Sequence, residues 1–198
     1  MFGFTKKELY FVIATIFLIS FATYANLQVS FRRSRDVERK GDLRAIYDAL
    51  VAYQVDVASF PPSDEGKIVA CLDGYDDQGV PQRRSCEWGW EGVTYYFEDG
   101  TIGKYIETLP TDPKHNEGRR YLYLSNGRHF QIYTSLEGVS EPEYNSAIVE
   151  RNLSCGDKIC NYGLADEVTP LEKSIEEYEN ELRIKNAKEK SVQGILPN

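Results

Sequence analysis

Residues 9–31 read LYFVIATIFLISFATYANLQVSF, a stretch without a charged side chain in a chain of 198 residues whose formal net charge is -8. A helix needs roughly 20 apolar residues, rising about 1.5 Å each, to cross the hydrocarbon core of a bilayer. The stretch meets that length. A secretory signal peptide has a shorter apolar core and a small-residue cleavage site directly after it. Ala22 and Ala25 imitate such a site, but the run continues through Leu27 and Val29, so a membrane anchor is the expectation. Lys6 and Lys7 precede the run, and Arg32, Arg33, Arg35, Arg39, Lys40 and Arg44 follow it. Basic residues gather on the cytoplasmic side of a span, so their count alone would place the downstream part inside.

Working outward, a helical repeat continues past the apolar run. Leu43, Ile46, Tyr47, Leu50 and Tyr53 recur at three- and four-residue intervals, which puts them on one stripe facing a core. Asp36 with Lys40, and Glu38 with Asp42, stand one turn apart and give the exposed face one favourable and one unfavourable pair. Gly41 is the weak point, costing about 1 kcal/mol relative to Ala in a helix interior. Pro61 and Pro62 end the element and Phe60 before them is extended. The expectation is one helix from about residue 5 to about residue 57, membrane-spanning in its first half and amphipathic in its second.

The four cysteines, Cys71, Cys86, Cys155 and Cys160, fall as two sequence-local pairs, which fits two short disulfide-closed loops. A zinc site wants a C-x-x-C pair facing a second pair, and His115 and His129 are too isolated to complete one. Four unrelated buried thiols are the third alternative. Disulfides persist in oxidising compartments, so the first alternative places the head outside the cytoplasm, against the count of basic residues. The cysteines carry more weight, because Asp36, Glu38 and Asp42 are interspersed with those arginines. An acidic chain without a basic, aromatic-laced patch is not expected to take nucleic acid as a partner. No phosphate-cradling glycine loop, Ser-centred elbow or metal-spaced His and Glu set is present, so no catalytic residue is assigned.

The start Gly3, Phe4, Thr5, Lys6, Lys7, Glu8, Leu9 resembles the type IV pilin and type II secretion pseudopilin family, closest to the major pseudopilin. The run Arg35, Asp36, Arg39, Asp42, Leu43, Ile46, Ala49, Leu50, Tyr53, Asp56, Phe60, Pro61 is similar to the helix leading into the head of those proteins. Leu109, Pro110, Thr111, Asp112, Pro113 is similar to the turn before their sheet. The resemblance implies cleavage by a prepilin peptidase between Gly3 and Phe4, N-methylation of Phe4, and a role for Glu8 in assembly. A carboxylate on the edge of an apolar helix is costly in lipid unless paired, and the amine of a neighbour's Phe4 would pair it. Lys6 and Lys7 depart from the family, which carries apolar residues there. The implied layout is a leader at 1–3, an assembly helix at 4–31, an extracytoplasmic head at 32–168, and a C-terminal helix and tail at 169–198.

In the head, residues 73–79 between Cys71 and Cys86 read as a turn-rich acidic loop. The ligand order of an EF-hand is absent, so calcium stays open and no metal residue is assigned. Trp88, Trp90, Val93, Tyr95 and Phe97 read as a strand closed by Glu98, Asp99 and Gly100, and Ser125, Asn126 and Gly127 join two strands in a hairpin. Thr169, Pro170, Leu171 and Glu172 read as a capping box, with Ile175, Tyr178 and Leu182 continuing an apolar stripe. The fold class is therefore α+β: a long N-terminal helix packed on a small antiparallel sheet, with a short C-terminal helix. The expected function is a structural subunit of a type IV pilus-like or pseudopilus fibre, in a single-pass membrane protein. Its partners would be the membrane, like subunits, the prepilin peptidase and other pilus or secretion proteins. The alternative is a membrane-tethered binding module that never polymerises.

Overall fold

Helix α1 (Lys6–Val57) runs unbroken from the apolar segment into the head in a computed structural model that describes residues 5–193. Its start is a capping box. The Thr5 hydroxyl accepts the Glu8 amide at 3.4 Å, and the Glu8 carboxylate accepts the Thr5 amide at 2.8 Å. Two of the donors that a helix start leaves without partners are thereby satisfied. At the other end Ala58 turns left-handed at φ 62° and donates its amide to the Gln54 carbonyl at 2.8 Å. The helix has thus stopped before Pro61 and Pro62, and Phe60 is tied instead to the Gly127 carbonyl at 2.8 Å.

Of three small antiparallel sheets, the second and third pack on the second half of α1, and the first packs on those two. Strands β1 (Ser63–Asp64), β2 (Lys67–Tyr75) and β3 (Pro81–Ser85) form the first, β4 (Val93–Tyr96) and β5 (Ile102–Ile106) the second. The third contains β6 (Leu122–Ser125), β7 (Phe130–Thr134) and β8 (Tyr162–Ala165), with β7 in the centre. The β6–β7 turn is built as its sequence requires. Gly127 takes φ 86°, and the Asn126 side chain accepts the amides of Arg128 and His129 at 3.1 and 3.0 Å. A short helix α2 (Ser146–Glu150) precedes β8, and α3 (Ile175–Gln193) closes the described chain.

The stripe on α1 is buried as its spacing implies: Leu43, Ile46 and Leu50 are inaccessible to solvent and Tyr53 nearly so. They meet Ile68, Val93, Leu109, Tyr123, Phe130 and Ile132 from the sheets in one core. A second core forms around Tyr133, Ile148 and the Cys155–Cys160 disulfide on the far side of β7. Every residue of β7 is buried in consequence.

Several expectations are corrected. The segment between Cys71 and Cys86 is a hairpin: β2 runs on through Asp73 to Tyr75, and only the part with Asp76 and Asp77 forms the turn at its tip. Trp88 and Trp90 lie in a turn ahead of β4. Helix α3 begins at Ile175, where Ser174 and Glu177 form the capping box: the Glu177 carboxylate accepts the Ser174 amide at 2.8 Å and the Ser174 hydroxyl accepts the Glu177 amide at 3.1 Å. Leu171, upstream of it, packs on the second core, and its carbonyl is claimed by Arg151 at 2.7 Å, which keeps Thr169–Glu172 out of a helix.

Helix α1 passes through Gly41 without a break, and a methyl group there would meet nothing within 4 Å. Gly41→Ala is expected to raise the unfolding free energy by about 0.5–1 kcal/mol, measured by urea denaturation of the full chain in detergent micelles. A decrease would show that the helix needs its flexibility at that point.

Candidate functional site

Every residue in the first half of α1 is exposed in the described structure. Its most apolar stretch has no buried residue and is long and apolar enough to cross a membrane. Tyr10, Phe11 and Phe17 are each more than two-thirds exposed, at 71%, 75% and 73%. The hydroxyls of Thr15 and Thr23 donate back to the carbonyls of Phe11 and Ile19, both at 2.8 Å. Neither hydroxyl therefore carries an unmet donor into an apolar surrounding.

Where the shaft meets the head, the packing stripe turns ionic. Asp36 and Arg39 are wholly buried and in phase with Leu43, Ile46 and Leu50. The Arg39 guanidinium grips Asp112 with two bonds, Nε to Oδ2 at 2.7 Å and Nη2 to Oδ1 at 2.9 Å. Its Nη1 reaches Asp36 at 2.9 Å and Glu137 at 3.0 Å. Arg35 holds Glu137 through a second fork, with both bonds at 2.7 Å. Asp36 in turn accepts the backbone amides of Glu137 and Gly138 at 2.8 and 3.0 Å, and Asp112 accepts that of Lys114 at 2.8 Å. Such planar two-bond pairs are the strong form of the ion pair, and satisfying the remaining lone pairs makes the burial tolerable.

The charges tune one another. Burial works against the charge on Arg39, but Asp112 and Glu137 outweigh it and hold its pKa above the ordinary guanidinium value. The Arg35 fork, opposed by burial and aided by Arg39, pushes the Glu137 carboxyl down to about 2. One turn along, the Tyr121 hydroxyl donates to Asp42 at 2.5 Å, and burial raises both pKa values.

The sequence-derived site residues are placed as follows. Gly3 and Phe4 lie outside the described residues. Glu8 stands exposed at the start of α1, its carboxylate engaged in the capping box. Cys71 bonds Cys86 and Cys155 bonds Cys160, with Cα separations of 5.1 and 5.2 Å, which removes the zinc and free-thiol alternatives. Among the described residues no group of three or more His, Cys, Asp and Glu is placed to hold a metal ion. In the acidic hairpin tip, Asp76 accepts the amides of Gln78 and Val80 instead. His129 is paired with Asp166 at 2.8 Å and covered by the Tyr178 ring. Asp36 does not pair with Lys40, which reaches Glu143 at 3.1 Å.

Glu137 escaped sequence reading, and so did the meeting of Arg39 with Asp112. A signal existed: positions 36 and 39 continue the stripe 43, 46, 50 and 53, so two opposite charges fall on the buried face. Compared with family models, with curated proteins and with solved structures, the chain finds no match in any of the three.

Removing Arg39 leaves Asp36 and Asp112 buried without a counter-charge. Arg39→Ala is expected to cost about 3–5 kcal/mol of stability in chemical denaturation. The pH dependence has a definite sign. Because the folded pKa of Glu137 lies near 2, below its ordinary 4.5, its contribution is complete above about pH 4.5 and is lost as pH falls towards 2. Glu137→Gln is expected to flatten that acid-side fall in melting temperature in part, leaving what is due to the other lowered carboxylates, among them Glu91, which Arg84 holds near 2.

Proposed function

We propose that the chain is a structural subunit that assembles through the first half of α1 into a pilus-like or pseudopilus fibre, with the disulfide-bonded head outside the cytoplasm. The observation that carries this reading is the single helix α1, bare and apolar over its first half and clamped to a folded head over its second. A bare apolar shaft requires either lipid or the shafts of like subunits around it, and moving from one to the other is assembly. The motifs that resemble the pilin family meet physically: Arg39 from the helix stretch binds Asp112 from the turn stretch.

Two disulfides support a head in an oxidising compartment. The basic residues after the span do not weigh against it as they did by count. Arg35, Arg39 and Lys40 are paired with Glu137, Asp112 and Glu143 from other segments, so these three serve the fold of the head. A tether that never polymerises is the second reading. It draws support from Lys6 and Lys7, two exposed cations that a fibre interior would have to accommodate and a membrane interface would not.

Glu8 gives a direct test. Glutamine preserves the capping box but removes the charge that would pair with a neighbour's amine. Glu8→Gln is expected to leave the chain membrane-inserted and folded while abolishing fibres in cells that express the peptidase and assembly machinery. The wild-type product is expected to begin at methylated Phe4, read from the intact mass. Retention of Met1, Phe2 and Gly3 on the wild type, with no fibres, would favour the tether.

A further inference from the structure

On the head, a surface cavity of about 260 Å³ opens beside the 3-10 turn His115–Glu117, with Asp112 of the ionic joint in its wall. Lys67, Trp88, His115, Arg119, Arg120 and Tyr121 line most of it. Its charges do not cancel internally. Glu87 at the rim is engaged by Lys67 at 2.7 Å, and both oxygens of Asp112 are held by Arg39. Arg119 gives one N–H to the Ser135 carbonyl at 3.3 Å, and among the described residues the Arg120 guanidinium meets no carboxylate. Two neighbouring guanidinium groups therefore face a cavity without an acid of their own, in a chain of net charge -8.

The arginine pair is braced from behind. The Arg120 amide donates to the Cys155 carbonyl at 3.1 Å, and Arg119 bridges Gly156, inside the second disulfide loop. A side chain at Gly156 would come within 1.9 Å of the Gly118 carbonyl oxygen, so the close approach requires glycine. In the same lining, Trp88 stands edge-on to Tyr121 with ring centroids 5.9 Å apart, and the Tyr121 hydroxyl is spent on Asp42. The lining thus combines forked donors that match a carboxylate with an aromatic surface.

We infer that this cavity binds a carboxylate carried on an apolar or aromatic group, the chemistry of the C-terminal residue of a peptide. The inference holds whether or not the chain polymerises. An acid sugar fits less well, because its hydroxyls need acceptors while Arg39 holds both oxygens of Asp112 and Lys67 holds one of Glu87.

The chain's two tryptophans supply both probe and control, since Trp90 is 86% exposed in a turn and does not line the cavity. The experiment is a titration of the full chain in micelles, labelled with ¹⁵N at tryptophan, with N-acetylphenylalanine. The indole resonance of Trp88 is expected to shift saturably while that of Trp90 stays, and N-acetylphenylalanine amide is expected to have no effect. Arg120→Gln is expected to weaken binding about tenfold, the loss of one charge-assisted bond, and Arg120→Lys by less. An unchanged Trp90 resonance and intact disulfides show that the variants fold. Equal binding of the amide, unchanged affinity in Arg120→Gln, or no shift of Trp88 would overturn the inference. A stronger response to glucuronate than to N-acetylphenylalanine would overturn the peptide assignment in favour of an acid sugar.

Discussion

Arg39 sits where every layer of the molecule meets, with no part of its guanidinium open to solvent. Its helix brings Asp36, the segment after the second sheet brings Asp112, and the chain after β7 brings Glu137. A cation taken out of water loses its hydration, and only several well-aimed carboxylate bonds replace it. Three separate segments must therefore arrive together before the charge is tolerable. That constraint fixes the register of α1 against the head more narrowly than its apolar stripe could, since Leu, Ile and Tyr tolerate small slips that a two-bond fork does not.

The remainder of the head follows from that fixed register. With α1 in place, Leu43, Ile46 and Leu50 receive the second and third sheets directly, and Ile68 and Ala70 of the first sheet complete the same core. The most buried strand, β7, has α1 on one side and the second core on the other. Gln131 in that strand satisfies its amide by donating to the carbonyls of Pro170 and Lys173, which draws the chain ahead of α3 onto the sheet. The two disulfides close short hairpin-like segments and are themselves buried, Cys71–Cys86 in the first core and Cys155–Cys160 in the second.

How much of this was legible depended on the range of the interaction. The shaft, its length, the buried stripe, the β6–β7 hairpin and both disulfides are written locally, in periodicity, in the Ser125–Gly127 turn and in cysteine spacing. The ionic joint was only half written. Asp36 and Arg39 lie on the stripe's phase, yet Glu137 is about a hundred residues away, and sequence separation of that kind leaves no periodic trace. Trp88 and Trp90 misled because aromatic residues mark strands only as a tendency. Here Trp88 packs against Tyr121 from a turn. The start of α3 was misplaced because Thr169–Glu172 and Ser174–Glu177 both satisfy a capping pattern, and tertiary bonds to the Leu171 carbonyl decide between them. The cavity arginines gave no signal, since adjacent basic residues in a polar segment ordinarily face water.

The continuity of α1 has a mechanical meaning. A helix of 52 residues rising about 1.5 Å each is a rod of roughly 78 Å without a joint, stiff against both bending and twisting. Turning the head about the rod's axis turns the face that the bare segment shows its surroundings by the same angle. Pulling the rod along its axis loads the Arg32–Glu141 contact and then the Arg35 and Arg39 forks, because they lie nearest the point where the head begins. The head then acts as a collar locked to the rod, setting both how deep the apolar segment can sink and which way it faces.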